Sequence, residues 1–262
     1  MATEHGRTEA QGTAIAPTPA ARKHFIPLEC NPEVMTALLR KLGLSPALQF
    51  HDVFSIDDPD LLAFVPRPAH ALLLVFPVSP TYEKFRAEED SSRTDYAGSG
   101  AGEQVVWFKQ TIGNACGLMG LLHGVANGPA RQHVQDGSDL DIFFQKATPL
   151  APRERATLLE ETEALKTAHH DAAGLGDTAA PEAEASVDLH YVCFVKSEGD
   201  GHLWEMDGRR KGPLDRGVLG EGEDVLSPAA LEKGVRAFLR REEEAGGGEL
   251  RFSLIVLAES LD

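Results

Sequence analysis

Residues 71–78 read Ala-Leu-Leu-Leu-Val-Phe-Pro-Val, a run with no polar side chain. It is bounded by His70 on one side and by Ser79-Pro80 on the other. So short and so apolar a run predicts a strand buried on both faces. Such a strand needs partners on both edges and cover above and below. Strands predicted at 187–196, 202–208 and 250–258 supply the edges, with a further one from Gln49 to Phe54. Helical patterns supply the cover. Asn31 caps a helix with Pro32 in its first turn, an apolar face at Val34, Leu38, Leu39 and Leu42, and a stop at Gly43. Further helices are expected from Asp58-Pro59 to Phe64, from Pro80 to Glu89, over Asp139 to Lys146, from Pro152 to His169, and from Ser227-Pro228 to about Glu243. Phe25-Ile-Pro-Leu28 reads as a short strand. The fold class that follows is α+β, a central, mostly antiparallel sheet flanked by helices.

The stretch Gln110-Thr-Ile-Gly-Asn-Ala-Cys-Gly-Leu-Met-Gly-Leu-Leu-His123 carries the most chemical information. A strand-like segment, Val105-Val-Trp-Phe108, leads into it. Leu118, Met119, Leu121, Leu122 and Val125 recur at helical spacing, so Cys116 opens a helix after a glycine turn. A thiol in the first turn of a helix meets unpaired backbone N–H groups and the positive end of the dipole, surroundings that favour the attacking thiolate. Gln110, six residues upstream, offers a carboxamide N–H to an oxyanion formed at the thiol, and the Cys116 amide offers a second donor. Most free cysteines are buried and inert. The flanking glycines and Gln110 set this one apart.

A base is available on Val187-Asp-Leu-His-Tyr-Val-Cys-Phe-Val195, where His190 lies early on a buried strand. After the turn Glu198-Gly-Asp-Gly201, His202-Leu-Trp-Glu-Met-Asp207 returns as the second strand of a hairpin. A histidine early on one strand and an aspartate late on its partner can face each other, the carboxylate fixing the imidazole and the imidazole taking the thiol proton.

These motifs together resemble the ubiquitin C-terminal hydrolases, papain-like cysteine peptidases, and in particular their short single-domain members. The resemblance runs from about Phe25 to the C-terminus and includes Pro27-Leu-Glu-Cys-Asn-Pro-Glu-Val34, Val65-Pro-Arg-Pro68 and Leu-Trp-Glu-Met-Asp-Gly-Arg. It implies Cys116 as nucleophile, His190 as general base and acid, Asp207 as orienting carboxylate and Gln110 as oxyanion donor. It also implies a knotted backbone, a monomer, ubiquitin as partner, and a reaction that needs no metal or organic cofactor. The turn between His190 and Asp207 is about two residues longer than in the family. The extra length falls in Ser197-Glu-Gly-Asp-Gly201, a hairpin tip where insertion leaves register intact. Two other readings of the same residues are a catalytically weak protein that binds and stabilises ubiquitin, and a hydrolase of a ubiquitin-like modifier.

Charge agrees with a basic protein partner. Asp and Glu number 41 against 25 Lys and Arg, a net charge of -16, which repels nucleic acid and steers basic surfaces inward. The tail of ubiquitin carries arginines, for which Glu29 and Asp52 are candidate contacts. Three cysteines without a paired framework fit a reducing cytosolic or nuclear compartment. No run is long and apolar enough to span a membrane, and none reads as a secretory signal. His169-His170-Asp171 lacks a third metal ligand at sensible spacing and reads as a solvated helix end.

Residues 1–22 read as a disordered tail, leaving 23–262 as one catalytic domain. Within it, Asp171-Ala-Ala-Gly-Leu-Gly-Asp-Thr-Ala-Ala-Pro-Glu-Ala-Glu-Ala-Ser186 has no apolar period. By the resemblance this is a crossover loop, about 170–187, above the active site. It would admit only a flexible tail bearing a small leaving group. Small adducts and short or unfolded extensions should be cleaved and lysine-linked ubiquitin dimers should not, until residues 172–185 are removed.

Overall fold

The computed structural model describes residues 23–185, 187–244 and 251–261. The tail predicted over 1–22 lies outside the described residues. Among them, β1 (Leu48–Asp52), β2 (Ala71–Pro77), β3 (Leu189–Lys196), β4 (His202–Met206), β5 (Leu214–Val218) and β6 (Ser253–Glu259) form one sheet. Its order is β1-β6-β2-β3-β4-β5. Every neighbouring pair is antiparallel. The apolar run at 71–77 is the third strand in, paired to β6 on one edge and β3 on the other, as its lack of polar side chains requires.

Strand alternation sends β2 side chains to two layers. Leu73 and Val75 join Leu118, Leu121 and Leu122 of α4 (Cys116–Ala126) and Leu38 and Leu39 of α1 (Pro32–Leu42). Leu72, Leu74 and Phe76 join Leu231 of α8 (Pro228–Lys233) and Val235 and Phe238 of α9 (Val235–Glu244). Each side chain so buried contributes about 1.5–3 kcal/mol. Two glycines let α4 lie against the sheet. A Cβ on Gly120 would come within 3.0 Å of Leu73, and one on Gly124 within 3.0 Å of Ala71 and 3.7 Å of Cys193 Sγ. That close approach fixes where the first residue of α4, Cys116, stands relative to β3.

The predicted caps of α1 are present. The Asn31 side chain accepts from the amides of Glu33 and Val34, and Gly43 closes the helix at φ 114°. Asp58 caps the short α2 (Pro59–Leu62), and Ser79 caps α3 (Pro80–Ser91). Helix α5 (Asp139–Ala147) also matches its expectation.

Other expectations are corrected. The helix predicted over 152–169 is two, α6 (Pro152–Glu161) and α7 (Glu163–Ala173), because Thr162 between them takes an extended ψ of 102°. The helix predicted from 228 is likewise two. Gly234 breaks it at φ -102°, ψ -97°, with the Phe194 ring 3.0 Å from where a Cβ would stand. Val105–Phe108 joins no ladder. The Val106 amide donates to the Asn127 side chain and the Phe108 amide to His123 Nε2, so α4 and its C-cap residue satisfy this segment in place of a strand. Phe25–Leu28 is not a strand either. It is held by the bridge from His24 to Gly113 and by bonds from His169 to the Ile26 carbonyl and from the Tyr191 hydroxyl to the Leu28 carbonyl. Strand β5 was not anticipated, since Leu-Asp-Arg-Gly-Val has no apolar alternation.

His169 is not solvated. It is buried beneath Phe25, ring centroids 4.6 Å apart, and its Nε2 donates to the Ile26 carbonyl at 2.7 Å. Burial pushes the pKa values of His169 and His123 down from 6.5 to about 4. Below 6.5 the unfolded chain therefore binds more protons than the folded one, and stability falls as the pH drops toward 4. We expect each ring to cost about 2 kcal/mol of unfolding free energy between pH 7 and pH 5. Urea unfolding at the two pH values measures this, and His169→Gln should remove one ring's share. Equal stability at both would contradict neutral burial.

Candidate active site

The thiol and the imidazole come from different layers and meet at one end of the sheet. Cys116 is the first residue of α4, and Ala115 before it provides no side-chain cap. The first helix bond runs from the Met119 amide to the Ala115 carbonyl, so the amides of Cys116 and the next two residues open the helix without intrahelical partners. The turn into the helix relies on Asn114, which takes φ 57°, a conformation asparagine tolerates better than most residues. His190 lies near the start of β3, opposite Phe76 of β2. Asp207 follows the last residue of β4. The β3–β4 register, Lys196 with Leu203 through Cys193 with Met206, places Asp207 diagonally from His190 on the same face. The hairpin tip at 197–201 leaves that register unbroken.

His190 Nε2 bonds to Asp207 Oδ1 at 2.8 Å, and both side chains are buried. Nδ1 is then the nitrogen left for the sulfur, and the Cys116 thiol is close enough to act on the ring through charge and hydrogen bonding. Burial alone would depress the imidazole pKa. The charge and hydrogen bond of Asp207, then Cys116, outweigh it and raise His190 to about 9. Burial likewise opposes the ionised Asp207. The charge and hydrogen bond of His190, the Tyr82 hydroxyl and the Arg209 amide at 2.8 Å hold it well below the carboxylate range.

Cys116, His190 and Gln110 line one cavity of about 310 Å³. The Gln110 amide nitrogen donates to the Ile112 carbonyl at 3.1 Å, and its buried Oε1 has no partner. Its backbone amide donates to the Gly208 carbonyl at 2.9 Å, which ties this residue to the turn that carries Asp207. Glu184, Ala185 and Val187 of the predicted crossover segment line the same cavity. Asn114 fastens that segment, its Nδ2 donating to the carbonyls of Ala183 at 2.8 Å and Ala185 at 3.0 Å. Sequence reasoning gave Asn114 no role. Its position in the glycine turn just before the thiol was the available signal.

Glu29 and Asp52 line a different space, an open cleft of about 1010 Å³ that also holds Glu33, Asp177 and Arg40. The Glu29 carboxylate is already engaged, accepting from the amide and hydroxyl of Thr178 at 3.0 and 2.5 Å. It therefore fastens the crossover segment at a second point, near its middle.

A helix-borne thiol facing a sheet-borne imidazole–carboxylate pair is the arrangement by which a cysteine hydrolase makes and breaks an acyl bond. Residues 25–240 match the family described as ubiquitin carboxyl-terminal hydrolase, family 1. The chain is 37% identical over 247 residues to ubiquitin carboxyl-terminal hydrolase 3 of Arabidopsis thaliana, covering 94% of this chain and 99% of the relative. It is 37% identical over 234 residues to ubiquitin carboxyl-terminal hydrolase isozyme L1 of Rattus norvegicus, covering 89% and 98%. In fold it is similar to the Trichinella spiralis UCH37 catalytic domain bound to ubiquitin vinyl methyl ester. That likeness has a TM-score of 0.68 at 20% identity, over 92% of this chain and 97% of that one. The chain belongs to the ubiquitin carboxyl-terminal hydrolase family of cysteine peptidases.

Proposed function

We propose that the protein hydrolyses small adducts and short or unfolded peptide extensions from the C-terminal glycine of ubiquitin. Cys116 is the nucleophile, His190 the base and acid, Asp207 the orienting carboxylate and Gln110 an oxyanion donor. The observation that carries this reading is the single cavity shared by Cys116, His190 and Gln110, with Asp207 bonded behind the imidazole. The sulfur attacks the terminal glycine carbonyl. The oxyanion is met by the Cys116 amide and the Gln110 carboxamide. His190 gives its proton to the leaving amine, thiol or alcohol as the bond to carbon breaks. Water, deprotonated by His190, then opens the thioester and restores the thiol.

The substrate limit rests on the segment fastened at Glu29 and Asn114. A loop tied at two points leaves room for an extended tail and excludes a folded leaving group. Glu29 and Asp52 are proposed to meet basic side chains of ubiquitin, Glu29 by exchanging its bonds to Thr178. We place the enzyme in a reducing compartment, the cytoplasm or nucleus, where its three cysteines stay free. Among the described residues no helix is long and apolar enough to cross a membrane.

Two results test this reading. Gln110→Ala should raise the barrier by about 2.7–4 kcal/mol, read as kcat on a ubiquitin C-terminal amide. An unchanged kcat would remove Gln110 from the oxyanion role. Removing residues 172–185 would cut into α7, where Ala172 and Ala173 are buried. Inserting about ten Gly/Ser residues after Ala180 lengthens the loop instead. Cleavage of lysine-linked ubiquitin dimers should then rise about tenfold or more, about 1.4 kcal/mol in barrier, with small adducts unaffected. Efficient dimer cleavage by the unaltered protein would contradict the gating role.

A further inference from the structure

Asp207 has two carboxylate oxygens and two competing directions in which to point. Oδ1 accepts from His190 Nε2 at 2.8 Å and from the Arg209 amide at 2.8 Å. Oδ2 accepts from the Tyr82 hydroxyl. The rival partner is Arg210, whose side chain is fully buried and whose Nε lies 4.0 Å from Oδ2 and 3.6 Å from Glu205 Oε1. That Nε has no hydrogen-bond partner. A buried guanidinium N–H without a partner is costly, and Asp207 competes with Glu205 to satisfy it if its carboxylate turns toward Arg210. Such a rotation would draw Asp207 off His190. The group that opposes the rotation is the Tyr82 hydroxyl.

Tyr82 is itself held on several sides. Its amide donates to Ser79 Oγ at 2.9 Å, and the Ser79 hydroxyl donates to Glu242 of α9 at 2.7 Å. Its ring packs on Phe76 at 4.8 Å and stands 6.2 Å from the His190 ring, centroid to centroid. Burial, then the charge of Asp207, pushes its hydroxyl well above the ordinary tyrosine range, so it stays a proton donor.

We propose that Tyr82 is a positioning residue of the reaction, holding Asp207 on His190 and away from Arg210. The proposal rests on the triad assigned above but not on the identity of the substrate. The groups facing the pair are Cys116 and His123 of α4, Tyr82 and Arg86 of α3, Glu205 of β4, Arg209 and Arg210 after β4, and Glu184 of the crossover segment.

The test is Tyr82→Phe, which removes one oxygen and keeps the ring packing. Alkylation of Cys116 by iodoacetate, whose carboxylate is drawn by the protonated imidazole, is followed against pH and reads that ring without any ubiquitin. In the unaltered protein its upper limb should lie near 9, where His190 loses its proton. In Tyr82→Phe the limb should move down by about one pH unit as Asp207 leaves the ring. On a ubiquitin C-terminal amide kcat should fall about ten- to hundredfold with KM unchanged. In an Asp207→Asn background the same change should cause no further loss, because Tyr82 acts only through that carboxylate. Should Tyr82→Phe not fold, 4-fluorophenylalanine at position 82 fills the space of the hydroxyl without a donor and should move the limb down in the same way. A limb that stays put, or losses that add in the double variant, would overturn the role of Tyr82 and leave the triad standing. An unaltered protein whose alkylation shows no fall as the imidazole loses its proton would overturn the triad and Tyr82 together.

Discussion

Cys116→Ala should abolish hydrolysis of a ubiquitin C-terminal amide while the variant still binds ubiquitin. The expected loss is about 10⁶-fold or more, the scale seen when a covalent nucleophile is removed and only binding and oxyanion contacts remain. Neither other cysteine can take over. Burial, then Asp52, pushes the Cys30 thiol up to about 12. Burial also pushes the Cys193 thiol far above its ordinary value, and its sulfur lies beneath Gly124 of α4, away from the cavity. The substitution removes one sulfur from a half-buried position and leaves the backbone amides at the start of α4 in place. Single-turnover hydrolysis and fluorescence anisotropy with labelled ubiquitin read the two halves of the prediction. Residual turnover above about one part in 10⁴ would assign the chemistry to another group.

Asp207→Asn should lower kcat by between about 10² and 10⁴-fold with the fold intact. Burial by itself depresses the His190 pKa, and Asp207 is the chief reason the imidazole instead reaches about 9. Asparagine keeps the shape and removes the charge. The imidazole then loses its proton at lower pH, and less acid stands ready for the leaving group. The amide can also present N–H to Nε2, which favours the wrong tautomer. The upper limb of the pH–rate profile should move down from near 9. A variant with an unmoved limb would show that Asp207 does not govern the imidazole.

What the sequence made legible follows from how local the signals are. The run at 71–77 needed only its own side chains to declare a strand buried on both faces, and Asn31-Pro32 and Gly43 declared both ends of α1. Cys116 at a helix start was readable because apolar spacing and the glycine turn lie within a dozen residues. The His190–Asp207 pair was readable because one hairpin joins them. What escaped depends on contacts distant in sequence. Val105–Phe108 looks like a strand, yet Asn127 and His123 satisfy its amides. Thr162 gives no sign that it will extend and split a helix. His169 looks solvated beside His170 until Phe25 closes over it. Tyr82 and Asn114 escaped for the same reason: each acts on a residue from another part of the chain, and neither residue type announces such a role. Glu29 was singled out for its charge, but its bonds to Thr178 appear only once α7 brings the crossover segment back past the start of α1.

The most direct measurement is reaction of the intact protein with ubiquitin whose C-terminal glycine carries a vinyl methyl ester, followed by peptide mapping. A single covalent adduct on the Cys116 sulfur, absent from Cys116→Ala and not formed by the electrophile without ubiquitin, is the expected result. Folded protein that stays unmodified, or that carries the adduct on Cys30 or Cys193, would contradict the assignment of nucleophile and partner alike.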